Sequence, residues 1–240
     1  MFDEEAVAGR WVLRLLKLAV VAGAAILAGW WLMQLRGSRG PTKRSPAQQI
    51  AVVRNRSEKP LARRIAAERL EDADASIVNQ LTGELSSGDA VGRELAAFAL
   101  GRLEVQDDGA VDALIAALDD PEQTVRRQAA VALGRLGARP EEVAAELVQR
   151  LHAADPETRG ATFKALRRLG REGTPALLGL LADSDADIRR RAVIELGRVG
   201  GGKSEFFDAL RGRLRDPDAR VRAETHAALW QCSAMHLDEL

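Results

Sequence analysis

One pattern limits what this chain can fold into more than any other: a pair of amphipathic helices that recurs about every 33 residues. It is plainest in residues 111–137, VDALIAALDDPEQTVRRQAAVALGRLG. Val111, Leu114, Ile115 and Leu118 fall at i, i+3, i+4 and i+7, one apolar stripe on a first helix. Asp120-Pro121 closes that helix and is expected to start a second. Asp is a good N-cap because its carboxylate accepts from a free backbone N–H, and Pro suits the first helical position, where its missing donor costs nothing. Val125, Ala129, Ala130, Leu133 and Leu136 face inward from the second helix, and Gly137 ends it as a residue that tolerates positive φ. The alanines are small where helices must approach closely. Such a hairpin cannot bury its own apolar faces alone.

The unit recurs. The second-helix leucine stands at Leu100, Leu133, Leu166, Leu196 and Leu229, with spacings of 33, 33, 30 and 33 residues. First helices fall at residues 78–85, 111–118, 143–151, 174–181 and 206–214, and the turn returns as Asp155-Pro156, Asp183-Ser184-Asp185 and Asp216-Pro217. This period, with two helices per unit, predicts an all-α solenoid in which each hairpin is buried against its neighbours. The run DPEQTVRRQAAVALGRLG resembles the HEAT-like repeats of the phycobiliprotein-lyase subclass, whose DPxxxVRxxAxxALGxLG pattern is specific when it recurs in tandem. The resemblance covers residues 45–240 and implies an α-solenoid that binds partners. It does not imply one activity, because the family spans adaptors, lyases and enzymes.

The expected organisation is an N-terminal tail (1–10), a transmembrane helix (11–36), a basic linker (37–45) and a repeat domain (46–240). The repeat domain divides into a capping repeat at 46–74 and repeats at 75–104, 109–137, 141–170, 174–200 and 204–240, five to six hairpins in all. Residues 18–33, LAVVAGAAILAGWWLM, carry no charge. Extended from Trp11 to Leu35, a helix is about 37 Å long at about 1.5 Å per residue, against about 30 Å of hydrocarbon. Trp11, Trp30 and Trp31 sit near its two ends, as interfacial aromatics do. The rival readings are a cleaved signal peptide, whose only small-residue site at Ala22-Gly23-Ala24 lies deep in the apolar run, and a buried helix. Arg10, Arg14 and Lys17 precede the core and Arg36, Arg39, Lys43 and Arg44 follow it, a one-charge margin that favours repeats in the cytoplasm.

Lys and Arg total 35, as do Asp and Glu, but unevenly: residues 1–44 hold seven basic and three acidic side chains, leaving 28 and 32 in 45–240. A repeat domain about four units negative argues against a nucleic-acid platform. Cys232 is the only cysteine, so neither an internal disulfide nor a thiolate cluster is available. His152, His226 and His236 have no partner at metal-ligand spacing. His152 reads as a helix-end residue and His226 as a packed residue of the last hairpin. Phe98, Phe163, Phe206 and Phe207 read as hairpin packing rather than the walls of a chromophore pocket. No P-loop, nucleophile elbow, HExxH or His-Glu pair occurs, and no catalytic residue, cofactor or metal is expected.

Two arginine series remain. Arg93, Arg126, Arg159, Arg189 and Arg222 recur near the start of each second helix, where the positive dipole end disfavours them. They are expected to form a structural ladder held by an aspartate of a neighbouring turn or by carbonyls. Arg102, Arg135, Arg168 and Arg198 recur near the helix C-termini, where the dipole favours a cation. They also form a stripe that suits an acidic segment of a protein partner. The concave surface, lined by second helices, then offers Arg127, Gln128, Arg135, Arg168, Arg190, Arg191 and Arg198 for contact. The function expected is a membrane-anchored, non-catalytic scaffold. The alternatives are an auxiliary of a lyase-type or other HEAT-like enzyme held at the membrane, and a purely structural spacer.

Overall fold

The computed structural model describes residues 44–70, 74–104, 106–199 and 204–237, the side chains of 204–205 and 232–237 excepted. Twelve α-helices and no strand occur among them. They pair into six consecutive hairpins: α1 (Pro46–Arg54) with α2 (Pro60–Glu68), α3 (Ala75–Ser87) with α4 (Ala90–Leu103), and α5 (Asp108–Ala116) with α6 (Gln123–Leu136). Then follow α7 (Pro140–Gln149) with α8 (Pro156–Arg168), α9 (Thr174–Gly179) with α10 (Ala186–Val199), and α11 (Ser204–Arg213) with α12 (Ala219–Leu237). First helices form one layer and second helices the other, and each hairpin packs on its neighbour, an α-solenoid. No described helix is long and apolar enough to cross a membrane. The expected anchor at 11–36, with Trp11, Trp30 and Trp31, lies outside the described residues.

Local chemistry sets the helix starts. Ser45, assigned above to the linker, is the N-cap of α1: its hydroxyl accepts from Gln48 N while Gln48 Oε1 accepts from Ser45 N, a reciprocal box. Asp74, Asp89, Asp107 and Asp155 cap α3, α4, α5 and α8 by accepting from the backbone N–H three residues on. Asp120 does not cap α6. That helix begins two residues later than Pro121 suggested, at Gln123, because Asp120 Oδ1 accepts from Glu122 N at 2.8 Å and shapes a turn instead. Asp216 does the same with Asp218 N at 3.0 Å, so α12 starts after Pro217. The ends of α5 and α9 tighten into 3-10 turns at Ala117–Asp119 and Leu180–Ala182. Gly137 and Gly170 sit at φ +59° and +64°, where a Cβ is disfavoured, and reverse the chain after α6 and at the end of α8.

One core runs the length of the array. Leu81, Leu114, Leu147, Leu177 and Leu210 from first helices meet Leu100, Leu133, Leu166 and Leu196 from second helices, all buried. Phe163 is fully buried and Phe206 nearly so, whereas Phe98 and Phe207 are only partly covered. The last hairpin differs from its sequence reading. His226 is exposed, although its repeat equivalents Ala97, Ala130, Phe163 and Val193 are buried. Those residues are covered by the next repeat, and among the described residues no helix follows α12 to cover its outer face. Trp230, at 78% exposure, stands open for the same reason.

Candidate partner-binding face of the second-helix layer

The first arginine series is occupied within the chain. Arg93 donates to both carboxylate oxygens of Asp120 at 2.7 and 2.9 Å, Arg126 to Asp155 at 2.7 Å, and Arg189 to Asp216 at 2.9 and 2.8 Å. Each also donates to carbonyls of its own turn: Gly88, Asp120 with Pro121, and Asp183 with Ser184. Arg222 holds the carbonyls of Asp216 and Pro217 at 2.8 and 3.0 Å. The ladder starts one hairpin earlier than the sequence reading placed it. Arg63 of α2, buried to 2%, donates to Asp89 at 2.9 and 2.7 Å and to Val53 O at 2.7 Å.

These bonds govern the carboxylates. The Arg63 guanidinium first, against the opposing effect of burial, and then the Gly92 N–H hold Asp89 down to about 2. Arg189 lowers Asp216 in the same way. Burial alone pushes Asp120 and Asp155 up, yet both end below their ordinary value. Arg93, the Glu122 N–H and Arg126 together outweigh burial at Asp120, while Thr158, Arg126 and Gln123 together do so at Asp155. Glu84, wedged near Arg63 and Arg54, is raised because burial dominates there.

Arg102, Arg135 and Arg168 occupy one repeat position on α4, α6 and α8, and all three are exposed. Among the described residues neither Arg135 nor Arg168 forms an ion pair with a carboxylate. The Arg135 guanidinium is pushed down by desolvation and then by the repulsion of Arg168 and Arg102, with Glu104 acting weakly the other way. Arg102 lies 5.8 Å from the centroid of the Phe98 ring and Arg64 lies 5.2 Å from it. The result is a run of like charges, exposed and mutually repelling, with only weak compensation from Glu104.

The other contact candidates are spoken for. Arg127 pairs with Glu157 at 3.0 Å, and Arg190 with Glu224 at 3.4 Å. Arg191 and Arg198 both reach Glu195, at 3.5 and 2.9 Å. Gln128 is half-buried on α6. Sequence reasoning missed Arg167, which donates to Glu195 at 3.0 Å, and Glu195 itself, which is fully buried. A signal for both existed. Aligned on the ladder arginine, Arg167 stands where Gly101, Gly134 and Gly197 stand, and Glu195 stands where Ala132, Ala165 and Ala228 stand.

Those glycines and alanines meet. A Cβ on Gly101 falls 2.6 Å from Ala132 Cα, one on Gly134 falls 2.6 Å from Ala165 Cα, and one on Gly197 falls 2.9 Å from Ala228 Cβ. Any side chain there forces the helices apart. At the α8–α10 step, where arginine and glutamate replace the small pair, contact is sparse compared with α4–α6, α6–α8 and α10–α12. The ladder loosens at the same step. Arg159 reaches Asp185 only at 3.5 Å, and its buried Nε has no partner. In the other layer a groove of about 1060 Å³ opens between α7 and α9, walled by Ala144, Ala145, Val148, Ala176 and Leu180.

Among the described residues no group of three or more His, Cys, Asp or Glu side chains is placed to hold a metal. His152 Nε2 lies 3.0 Å from Asp183 Oδ2 in the turn after α7, an isolated pair.

A family model of HEAT repeats matches residues 78–152 and 144–230, and the chain belongs to the HEAT-repeat family. Among solved structures, the X-ray structure of Escherichia coli YibA is similar at 20% identity and a TM-score of 0.50, over 82% of this chain and 76% of that one. The CpcE–CpcF complex of phycocyanin lyase from a Nostoc species aligns at 21% identity and a TM-score of 0.46, over 81% of this chain and 96% of that one. A designed armadillo repeat protein in complex with the peptide (KR)4 aligns at 15% identity and a TM-score of 0.47, over 79% of this chain and 100% of that one. Among curated proteins none matches the sequence.

Proposed function

We propose that this protein is a non-catalytic scaffold, held at a membrane by residues 11–36 with its repeats in the cytoplasm, that takes an acidic segment of a protein partner along its second-helix layer. The observation that carries the reading is the contrast between the two arginine series. The ladder arginines are fixed by turn aspartates and carbonyls, whereas among the described residues Arg135 and Arg168 form no ion pair with a carboxylate, and they repel each other. Like charges held side by side on rigid helices are a preorganised receptor for an extended anion. Outside the α8–α10 step the polar side chains of this layer follow the repeat instead of converging from unlike positions on one pocket, which supports binding over catalysis.

The test uses the full chain in detergent micelles and a fluorescein-labelled glutamate-rich peptide, read by anisotropy. The double variant Arg135→Glu/Arg168→Glu abolishes binding on this reading, and added salt weakens the wild-type complex. Binding that survives both charge reversals removes the stripe from the function.

A further inference from the structure

The α8–α10 junction departs from the repeat at a visible structural cost. At three other steps a glycine admits the alanine of the next second helix to within 2.6–2.9 Å of its notional Cβ. Here Arg167 and Glu195 take those two positions, contact between the helices thins, and the ladder rung stretches to 3.5 Å. Burying a carboxylate between helices is unfavourable unless its partners are excellent, and a small apolar pair serves as well or better. A departure from the local rule with no structural gain marks a functional position.

What the departure builds is an arginine cluster. Glu195, with its side chain fully covered, gathers Arg167 Nε at 3.0 Å, Arg198 Nη1 at 2.9 Å and Arg191 Nε at 3.5 Å. The three guanidinium-bearing side chains stay 33–52% exposed. Arg167 comes from α8 and the other two from α10, so the cluster exists only because the two helices part. Arg167 uses its Nε–H on Glu195, with its Nη hydrogens unbonded among the described residues, and Arg198 engages through one Nη. Three cations around one carboxylate leave a net charge of about +2, which matches the roughly −1.5 to −2 of a phosphate monoester near neutral pH. A monocarboxylate leaves half of it uncompensated. Arg168, beside Arg167 on the same helix, continues the unpaired run toward Arg135.

We infer that Arg167, Arg191 and Arg198, organised by buried Glu195, form a phosphate-binding site for a phosphorylated residue in the partner segment. The inference rests on the reading of the second-helix layer as the partner-binding face. Glu195 is a positioning residue: it fixes the guanidinium groups and does not touch the ligand.

The experiment compares three fluorescein-labelled peptides on the full chain in detergent: an acidic peptide with one phosphoserine, the same peptide with serine, and the same with glutamate in that place. The wild type binds the phosphopeptide roughly tenfold more tightly than the serine form, and more tightly than the glutamate form. Arg167→Gly/Glu195→Ala, which installs the array's own small pair, loses that preference while keeping its helical circular dichroism. Arg191→Gln/Arg198→Gln, at a half-buried and an exposed position, loses it as well. No phosphate preference in the wild type overturns the site, as does a preference retained by both variants. Equal capture of vesicles containing a phosphoinositide through the same three arginines makes the ligand a lipid and overturns its assignment to a protein segment. The two proposals fail separately. Absent phosphate preference with glutamate-peptide binding still lost in Arg135→Glu/Arg168→Glu removes only this site, whereas indifference to that charge reversal removes the binding face itself.

Discussion

The α6–α8 and α8–α10 steps are the same joint built twice. At the first, Gly134 lies against Ala165, and Arg126 grips Asp155 at 2.7 Å while Asp155 also caps α8 through Thr158 N. At the second, Arg167 faces Glu195, and the rung is Arg159 to Asp185 at 3.5 Å. The two aspartates of this turn divide the work: Asp183, at the place of Asp120 and Asp216, faces His152 at 3.0 Å, and the rung is made to Asp185, at the place of Asp89 and Asp155. The first joint is made for packing alone. The second gives up close packing for a cluster of cations, and that exchange separates structure from function in a repeat array.

Moving one side chain from the second joint to the first should produce the largest effect. Gly134→Arg places an arginine against Ala165 with no carboxylate to receive it, and is expected to destabilise the array by about 3 kcal/mol in urea unfolding. Next in size are the rungs. Asp155→Ala removes a helix cap and the Arg126 pair together and should lower stability by about 2 kcal/mol. Asp185→Ala, at the stretched rung, is expected to lower it by only about 0.5 kcal/mol. Equal losses at the two rungs erase the contrast between the joints.

Acid provides a third lever on the tight rungs. Asp89 sits at about 2 in the folded protein against an ordinary 3.8. A carboxyl whose folded value is depressed contributes stability that is complete above the unfolded value and is lost as pH falls through the folded one. Unfolding followed by circular dichroism should therefore begin below about pH 4 and steepen toward pH 2, since Asp120, Asp155 and Asp216 are lowered too. Asp89→Asn is expected to flatten that slope; an unchanged slope leaves the ladder with no part in acid stability. An effect as small as that of Asp185→Ala belongs to Phe98→Leu, which removes the ring beneath Arg64 and Arg102 and should cost about 0.5 kcal/mol in the same unfolding assay.

Much of the fold was legible because a solenoid writes its contacts into a period. Val111, Leu114 and Leu133 are buried where their spacing put them, and the ladder arginines recur with the turns that hold them. Reading failed where a residue's role depends on a neighbour rather than on its own hairpin. Asp120 looked like a cap because capping is local, yet its carboxylate serves Arg93, 27 residues earlier. His226 looked buried because its repeat equivalents are, but burial there comes from a following hairpin. Arg191 and Arg198 were read as free contacts, whereas Glu195 on their own helix engages both. Arg167 and Glu195 lie 28 residues apart and pass singly for ordinary helix charges. Only alignment on the repeat shows that they replace a glycine and an alanine together.

The most direct test of this account is the equilibrium urea unfolding of the full chain in detergent, wild type against Arg167→Gly/Glu195→Ala, with and without the phosphoserine peptide. If the fourth junction gives up packing for binding, the double variant is at least as stable as the wild type, and the phosphoserine peptide stabilises the wild type more than the variant. A double variant less stable by more than about 1 kcal/mol, beyond what a helical glycine costs, contradicts the account, because Arg167 and Glu195 would then be holding the array together.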